Sequence, residues 1–120
     1  MKNEFNIKLQ SRGDWLFYQF TPATNLTGCL GVVFKMRNRL TKVVKIAAGV
    51  AQVAIGTYTI DGVVRTLTAA DGVVFFPWPQ NTDLDTAGDY EFEFHATMPQ
   101  GLLVRPGEGW TPLTIGATIT

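Results

Sequence analysis

Asp83-Leu84-Asp85-Thr86-Ala87-Gly88-Asp89-Tyr90-Glu91-Phe92-Glu93-Phe94-His95 carries the strongest strand and turn signals of the chain. Its second half alternates: Tyr90, Phe92, Phe94 and Ala96 share one face, and Glu91, Glu93, His95 and Thr97 the other. Period two with aromatics on one side marks a half-buried antiparallel strand. Its first half is a corner, because Asp85, Thr86, Ala87 and Gly88 suit turns and glycine takes a positive φ without a steric cost. The spacing Asp-x-x-Gly-x-Tyr is that of a tyrosine corner, in which a buried Tyr hydroxyl returns to the backbone a few residues upstream. In antibody domains a cysteine follows two residues after that tyrosine; here the position holds Phe92. The expected fold is all-β, an immunoglobulin-like antiparallel β-sandwich with Asp85, Gly88 and Tyr90 as its structural corner.

Working outward, the rest of the chain supplies short strands and turns. Residues 5–9 and 15–20 read as the first two strands, separated by the turn Ser11-Arg12-Gly13-Asp14. Residues 29–36 form a dense apolar run suited to a central strand. Residues 42–47 and 50–60 read as two further strands, with Gly56 as a bulge. Residues 47–53 and 66–70 also admit single helical turns. Asp61-Gly62 is a two-residue hairpin signal, Asp71-Gly72 repeats it, and the strand at 73–78 is closed by Pro77 and Pro79. Strands at 89–97, 102–105 and 110–118 complete the chain. About seven to nine strands with turns every ~8–12 residues is the expectation for a sandwich. A length of 120 residues indicates one domain over 1–120.

Composition narrows the function classes. Ten basic and ten acidic residues balance to a net charge of zero, so no basic patch argues for nucleic acid. No apolar run approaches the ~18 residues of a membrane helix, and the N-terminus lacks an apolar signal core. The expectation is therefore no nucleic-acid and no membrane partner. Cys29 is the single cysteine. It excludes an internal disulfide, fits folding in a reducing cytoplasm, and reads as a small buried hydrophobe in an apolar strand.

The sequence carries no recognisable catalytic or metal-binding constellation. His95 is the only histidine, too few for a His-based triad or a zinc centre, and reads as a solvated strand residue. Asp83, Asp85 and Asp89 lack the EF-hand pattern and suit corner hydrogen bonds. Glu91 and Glu93 share one strand face rather than facing each other across a cleft; they read as solubilising groups or partners of Lys35, Arg37 or Arg39. Gly107-Glu108-Gly109 is followed by no helix and forms no phosphate cradle. The integrin-type tripeptide Arg12-Gly13-Asp14 is explained by its turn. Trp15, Trp78 and Trp110 each fall at a strand end, where a Trp plugs a sandwich mouth; exposed together, they would stack sugars. The chain is expected to be no enzyme, to have no catalytic, cofactor-binding or metal residues, and to take no cofactor and no small-molecule substrate.

The ordered set Asn25-Leu26-Thr27-Gly28, Val32-Val33-Phe34-Lys35-Met36-Arg37, Val63-Val64, then Val73, Phe75 and Trp78, the corner stretch through Phe94, Leu103-Val104-Arg105-Pro106 and residues 110–115 resembles the phage baseplate upper protein N-terminal domain family. The resemblance covers residues 5–119. It implies an immunoglobulin-like structural component of a tailed-phage virion, made in the host cytoplasm and located in the particle. Such a chain would be a baseplate, tail or neck adaptor, or a decoration subunit. Its partners would be other virion proteins and copies of itself in a homo-oligomer. The family brings no catalytic residues. Two departures stand out: the hairpin at 99–102 lacks Asp-Gly, and no fibre region follows, so the chain reads as a stand-alone module. The alternative is a carbohydrate or host-surface binding module of a phage particle. The expected contact residues are Phe5, Ile7 and Leu9 on the first strand and Trp110, Leu113 and Ile115 on the last, since terminal strands often lie at sheet edges with free pairing groups.

Overall fold

The computed structural model describes residues 5–20, 24–105 and 110–116, and these form an all-β molecule. The strands are β1 (Asn6–Lys8), β2 (Leu16–Gln19), β3 (Gly31–Asn38), β4 (Val44–Val53), β5 (Gly56–Ile60), β6 (Val63–Leu67), β7 (Val73–Phe76), β8 (Gly88–Met98), β9 (Gly101–Arg105) and β10 (Thr111–Gly116). A single 3₁₀ turn spans Ala69–Asp71. The corner stretch becomes β8, the longest strand, with Tyr90, Phe92, Phe94, Ala96 and Met98 all buried.

The strands do not separate into two independent sheets. One sheet runs β1-β10-β8-β3-β4-β7-β2, with β9 also on β8, and β5-β6 form a small sheet of their own. The link is β4, which pairs with β3 through Val44–Ala51 partners and then with β7 at Gln52 and Val53. The large sheet therefore curls into a half-barrel that brings β2 and β7 over the inner face of β3 and β8. β8 organises it: β3 covers one edge throughout, while β10 and then β9 cover the other in succession. β1 runs parallel to β10, the one parallel pairing among the described strands.

Several sequence expectations are corrected here. Residues 42–47 and 50–60 do not form two strands with a break near 48, and no helical turn occurs at 47–53. One strand runs through Val44–Val53, and two register shifts against β3 take up its extra residues. Gly49 is the reason it must be small there: a Cβ at that position would lie 2.5 Å from Cε1 of Phe76. Gly56 begins β5 instead of bulging within a longer strand. Asp71-Gly72 is not a hairpin. The Asp71 carboxylate accepts the Thr68 amide at 2.7 Å, and Gly72 ends the 3₁₀ turn. Asp61-Gly62 does make a two-residue hairpin; both residues have positive φ, 53° and 78°, as a type I′ turn requires.

Cys29 precedes β3 and is half-buried against the core, not enclosed in a strand. Gly28, with φ 85°, turns the chain just before it, and Leu30 beside it is 74% exposed. The apolar composition of residues 29–33 is therefore divided between a loop and a strand.

The core is aromatic. Phe34 of β3 stacks on Phe76 of β7 with centroids 4.3 Å apart, and its ring also meets Trp78, Phe92 and Phe94. Tyr18 of β2 stacks on Phe94 at 5.6 Å and meets Phe92 edge-on at 5.8 Å. Each such pair contributes about 0.5–1.5 kcal/mol beyond area burial. A smaller cluster of Ala54, Ile60, Leu67, Val73 and Phe75, flanked by Phe17 and Tyr58, holds the β5-β6 hairpin on the other side of β2 and β7.

Candidate functional site

The corner at residues 83–90 leads into β8. Gly88 has φ 153°, a backbone conformation that favours glycine, while a Cβ there would meet the Tyr90 ring at an ordinary 3.6 Å. Tyr90 is 5% exposed, and its hydroxyl donates to the Thr86 carbonyl at 3.0 Å. The Lys45 ammonium donates to the Asp85 carboxylate at 2.7 Å and lies 6.0 Å from the Tyr90 ring centroid. The Lys45 and Thr86 hydrogen bonds hold the Asp85 carboxyl below its ordinary range. Asp85 thus ties the corner to β4. Asp83 is buried and accepts the Gln80 amide at 3.0 Å, while Asp89 accepts from Thr114 at 3.3 Å. The three acids serve separate local bonds, and no group of potential metal ligands occurs among the described residues.

With the aromatics of β8 turned inward, its alternate residues lie on the other face, where Glu91 is itself buried. Cross-strand partners share a face, so the register defines the rows of this surface. Val104, His95, Val33 and Val50 form one row across β9, β8, β3 and β4. Leu102 lies opposite Thr97 in the row beside it. Glu93 opposite Lys35, and Glu91 opposite Arg37, form the next rows. One end of the face is therefore rich in Val and Leu, with Val50 72% and Leu102 58% exposed, and the other end is charged.

The charged end is internally paired. The Glu91 carboxylate accepts from Arg37 at 2.6 Å and from Lys42 at 3.2 Å. Burial pushes the Glu91 carboxyl up, but the Arg37 and Lys42 hydrogen bonds and charges together outweigh it and hold the group below its ordinary range. Arg37 also lies over the Trp110 ring, 4.1 Å from its centroid. His95 is not a solvated residue. It is half-buried and shares a 2.7 Å hydrogen bond with Glu93. The sequence separates these groups by up to 54 positions between Arg37 and Glu91; only strand register brings them together.

The expected terminal contact residues are placed mostly in the core. Ile7, Leu113 and Ile115 are buried, and Phe5 and Leu9 pack partly against the same cluster. The physical reason is the parallel pairing of β1 on β10, which turns Ile7 and Ile115, register partners, toward the aromatic core. They are not available as a free surface in the folded chain. Trp110 is half-buried beneath Arg37.

The tryptophans do not form an exposed set. Trp78 is fully buried with φ 51°, between Pro77 and Pro79. Such a backbone outlier costs about 1–3 kcal/mol and must be held by its surroundings. Arg12 supplies that restraint, donating to the Trp78 carbonyl at 2.9 Å and to the Pro79 carbonyl at 2.8 Å, while the Trp78 indole donates to the Asp14 carbonyl at 3.0 Å. Arg12-Gly13-Asp14 is thereby a clamp on the 77–79 loop. Trp15 is 44% exposed and lies parallel to Phe75, with centroids 5.0 Å apart. It borders an open groove of about 670 Å³ between the β5-β6 hairpin and the β1–β2 segment.

Comparisons with protein-family models, with curated proteins and with solved structures find no match to this chain.

Proposed function

We propose that this chain is a non-catalytic structural component of a tailed-phage virion and that it works through protein–protein contacts made by the outward face of β9, β8, β3 and β4. The observation that carries the contact reading is the Val104–His95–Val33–Val50 row with Leu102 beside it. An apolar centre next to paired charges has the composition of an interface, with a desolvated core and a polar rim. The paired groups Glu91, Arg37, Lys42 and Glu93 fix the register in which a partner, or a second copy, meets the face. The virion assignment rests on the sequence resemblance.

The immunoglobulin-like reading has topological support. β10, β8, β3 and β4 follow the order G-F-C-C′ of a variable-type sheet, β2 and β7 pair as strands B and E do, and the tyrosine corner falls at the start of strand F. β9 and β10 then act as two halves of strand G along one edge of β8. On this reading Phe92, two residues after the corner tyrosine, stands where an antibody domain carries its second disulfide cysteine, and it packs against Tyr18 and Phe34.

Val50→Asp combined with Leu102→Asp tests the contact face. Both residues are exposed, so the fold should lose no more than about 0.5 kcal/mol per site, checked by thermal melting. The variant should be missing from purified virions that contain the unaltered chain. Occupancy equal to the unaltered chain removes this face from the proposal, and absence of the unaltered chain from virions removes the virion assignment.

A further inference from the structure

The groove beside Trp15 shares no lining residue with the outward face of β9, β8, β3 and β4. It lies between the β5-β6 hairpin, which pairs with no other described strand, and the β1–β2 segment. Its volume of about 670 Å³ falls within the ~300–1,000 Å³ of small-molecule sites. Trp15, Tyr58, Asn6, Asp14, Thr59 and Asp61 are among its lining residues. Neither lysine, arginine nor histidine lines it among the described residues.

We infer that this groove binds a neutral saccharide, with Trp15 as the stacking platform. Two features select this ligand class. The first is the state of the indole. Phe75 stacks on Trp15 at an interplanar angle of 6° and fixes the ring, leaving the rest of an amphipathic side chain, 44% exposed, to the groove. A rigid aromatic loses little freedom on binding and offers a negative π face to the polarised C–H surface of a sugar ring. Tyr58 stands across the groove on β5, and its own position is fixed by its hydroxyl donating to the Ile55 carbonyl at 3.1 Å and by edge contact with Phe17 at 5.4 Å. The second feature is charge. The Asp14 carboxylate, which also accepts from the Ser11 hydroxyl, supplies acceptor oxygens, and Asn6 and Thr59 supply amide and hydroxyl groups. Carboxylates accept hydrogen bonds from sugar hydroxyls, whereas they repel phosphate, sulfate and nucleic-acid backbones. With no cation among the described lining residues, these residues offer an anionic ligand nothing to neutralise it. A basic peptide would satisfy the charge and could also use the ring through a cation–π contact; the tetralysine arm of the test separates it.

The test uses the full chain. An array of neutral glycans identifies candidate ligands, and tryptophan fluorescence is then titrated with cellotetraose, maltotetraose, chitotetraose and any array hit, with tetralysine as the basic probe. At least one neutral saccharide should perturb the emission saturably. Trp15→Ala should weaken binding by about 2- to 12-fold, the scale of one aromatic contact, as read by calorimetry. Asp14→Ala, which keeps the backbone carbonyl that accepts the Trp78 indole, should also weaken it, and Trp110→Ala, outside the groove, should not. Melting curves establish that each variant is folded. The inference is overturned if no neutral saccharide binds up to about 10 mM, an order above the millimolar affinity scale. Saccharide binding undiminished in folded Trp15→Ala and Asp14→Ala, or saturable binding of tetralysine alone, overturns it equally.

Discussion

The half-barrel and the β5-β6 hairpin use the same residue types to different ends. In the half-barrel, rings from β2, β3, β7 and β8 pack on one another, and Phe34, Phe76, Phe92, Phe94 and Trp78 are essentially inaccessible. In the hairpin, only Ile60 and Leu67 are buried, while Val63 and Val64 are 59% and 68% exposed. Its five backbone pairings are all internal, so it is held to the rest by one small apolar cluster. Isolated two-stranded ribbons are marginal in water. The contrast teaches that stability in this chain is concentrated in one body, whereas the hairpin is a peripheral unit able to open at lower free energy. A groove wall made from such a unit can adjust to a ligand without disturbing the core.

The sharpest way to break this comparison is a pair of truncations. Phe34→Ala should destabilise the whole molecule by about 3–5 kcal/mol, the range for a buried phenylalanine, seen as a cooperative loss of structure in denaturant. Leu67→Ala removes a smaller contact from the satellite cluster and should cost about 2 kcal/mol. Its effect should appear as faster amide exchange in β5 and β6 with little change in β3 and β8. Equal acceleration of exchange throughout would show that the two regions are one cooperative unit.

A smaller effect sharpens the role of the corner. Tyr90→Phe removes the donor to the Thr86 carbonyl and should cost about 0.5–1.5 kcal/mol, the net range for one hydrogen bond, because Thr86 is exposed and water can replace the lost donor. The loss should be felt in β8 and β10, not in the hairpin, and no loss in equilibrium denaturation would contradict the structural role assigned to the hydroxyl.

A comparable effect is electrostatic. The Glu91 carboxyl is held below its ordinary range in the folded chain. Its contribution is therefore present above the unfolded carboxylate range, about pH 4.3, and is lost as pH falls through the lower folded value. Glu91→Gln should cost about 1 kcal/mol near neutral pH, because Arg37 and Lys42 are partly exposed and solvent screens them. The difference from the unaltered chain should shrink below pH 4. A difference that stays constant through that interval would assign the effect to packing.

The comparison also shows where sequence reasoning stops. Alternation in the stretch 89–97 determines which side of β8 is buried, since a period-two pattern admits one orientation. The Asp-x-x-Gly-x-Tyr spacing determines the corner bond, because every group involved lies within a few residues. Asp61-Gly62 determines its hairpin for the same reason: the needed positive φ values are local. Three features were decided by the tertiary structure. Residues 44–53 form one strand because Gly49 admits the Phe76 ring, a contact between positions distant in sequence. Ile7, Leu113 and Ile115 are core residues instead of a contact surface because β1 pairs parallel to β10. The valine row, the Glu91–Arg37 pair and the Trp15 groove exist only where register and curl set separate strands side by side. Short-range patterns carry information about φ, ψ and face; which strand lies beside which depends on how the aromatic core closes, and that is a property of the whole chain.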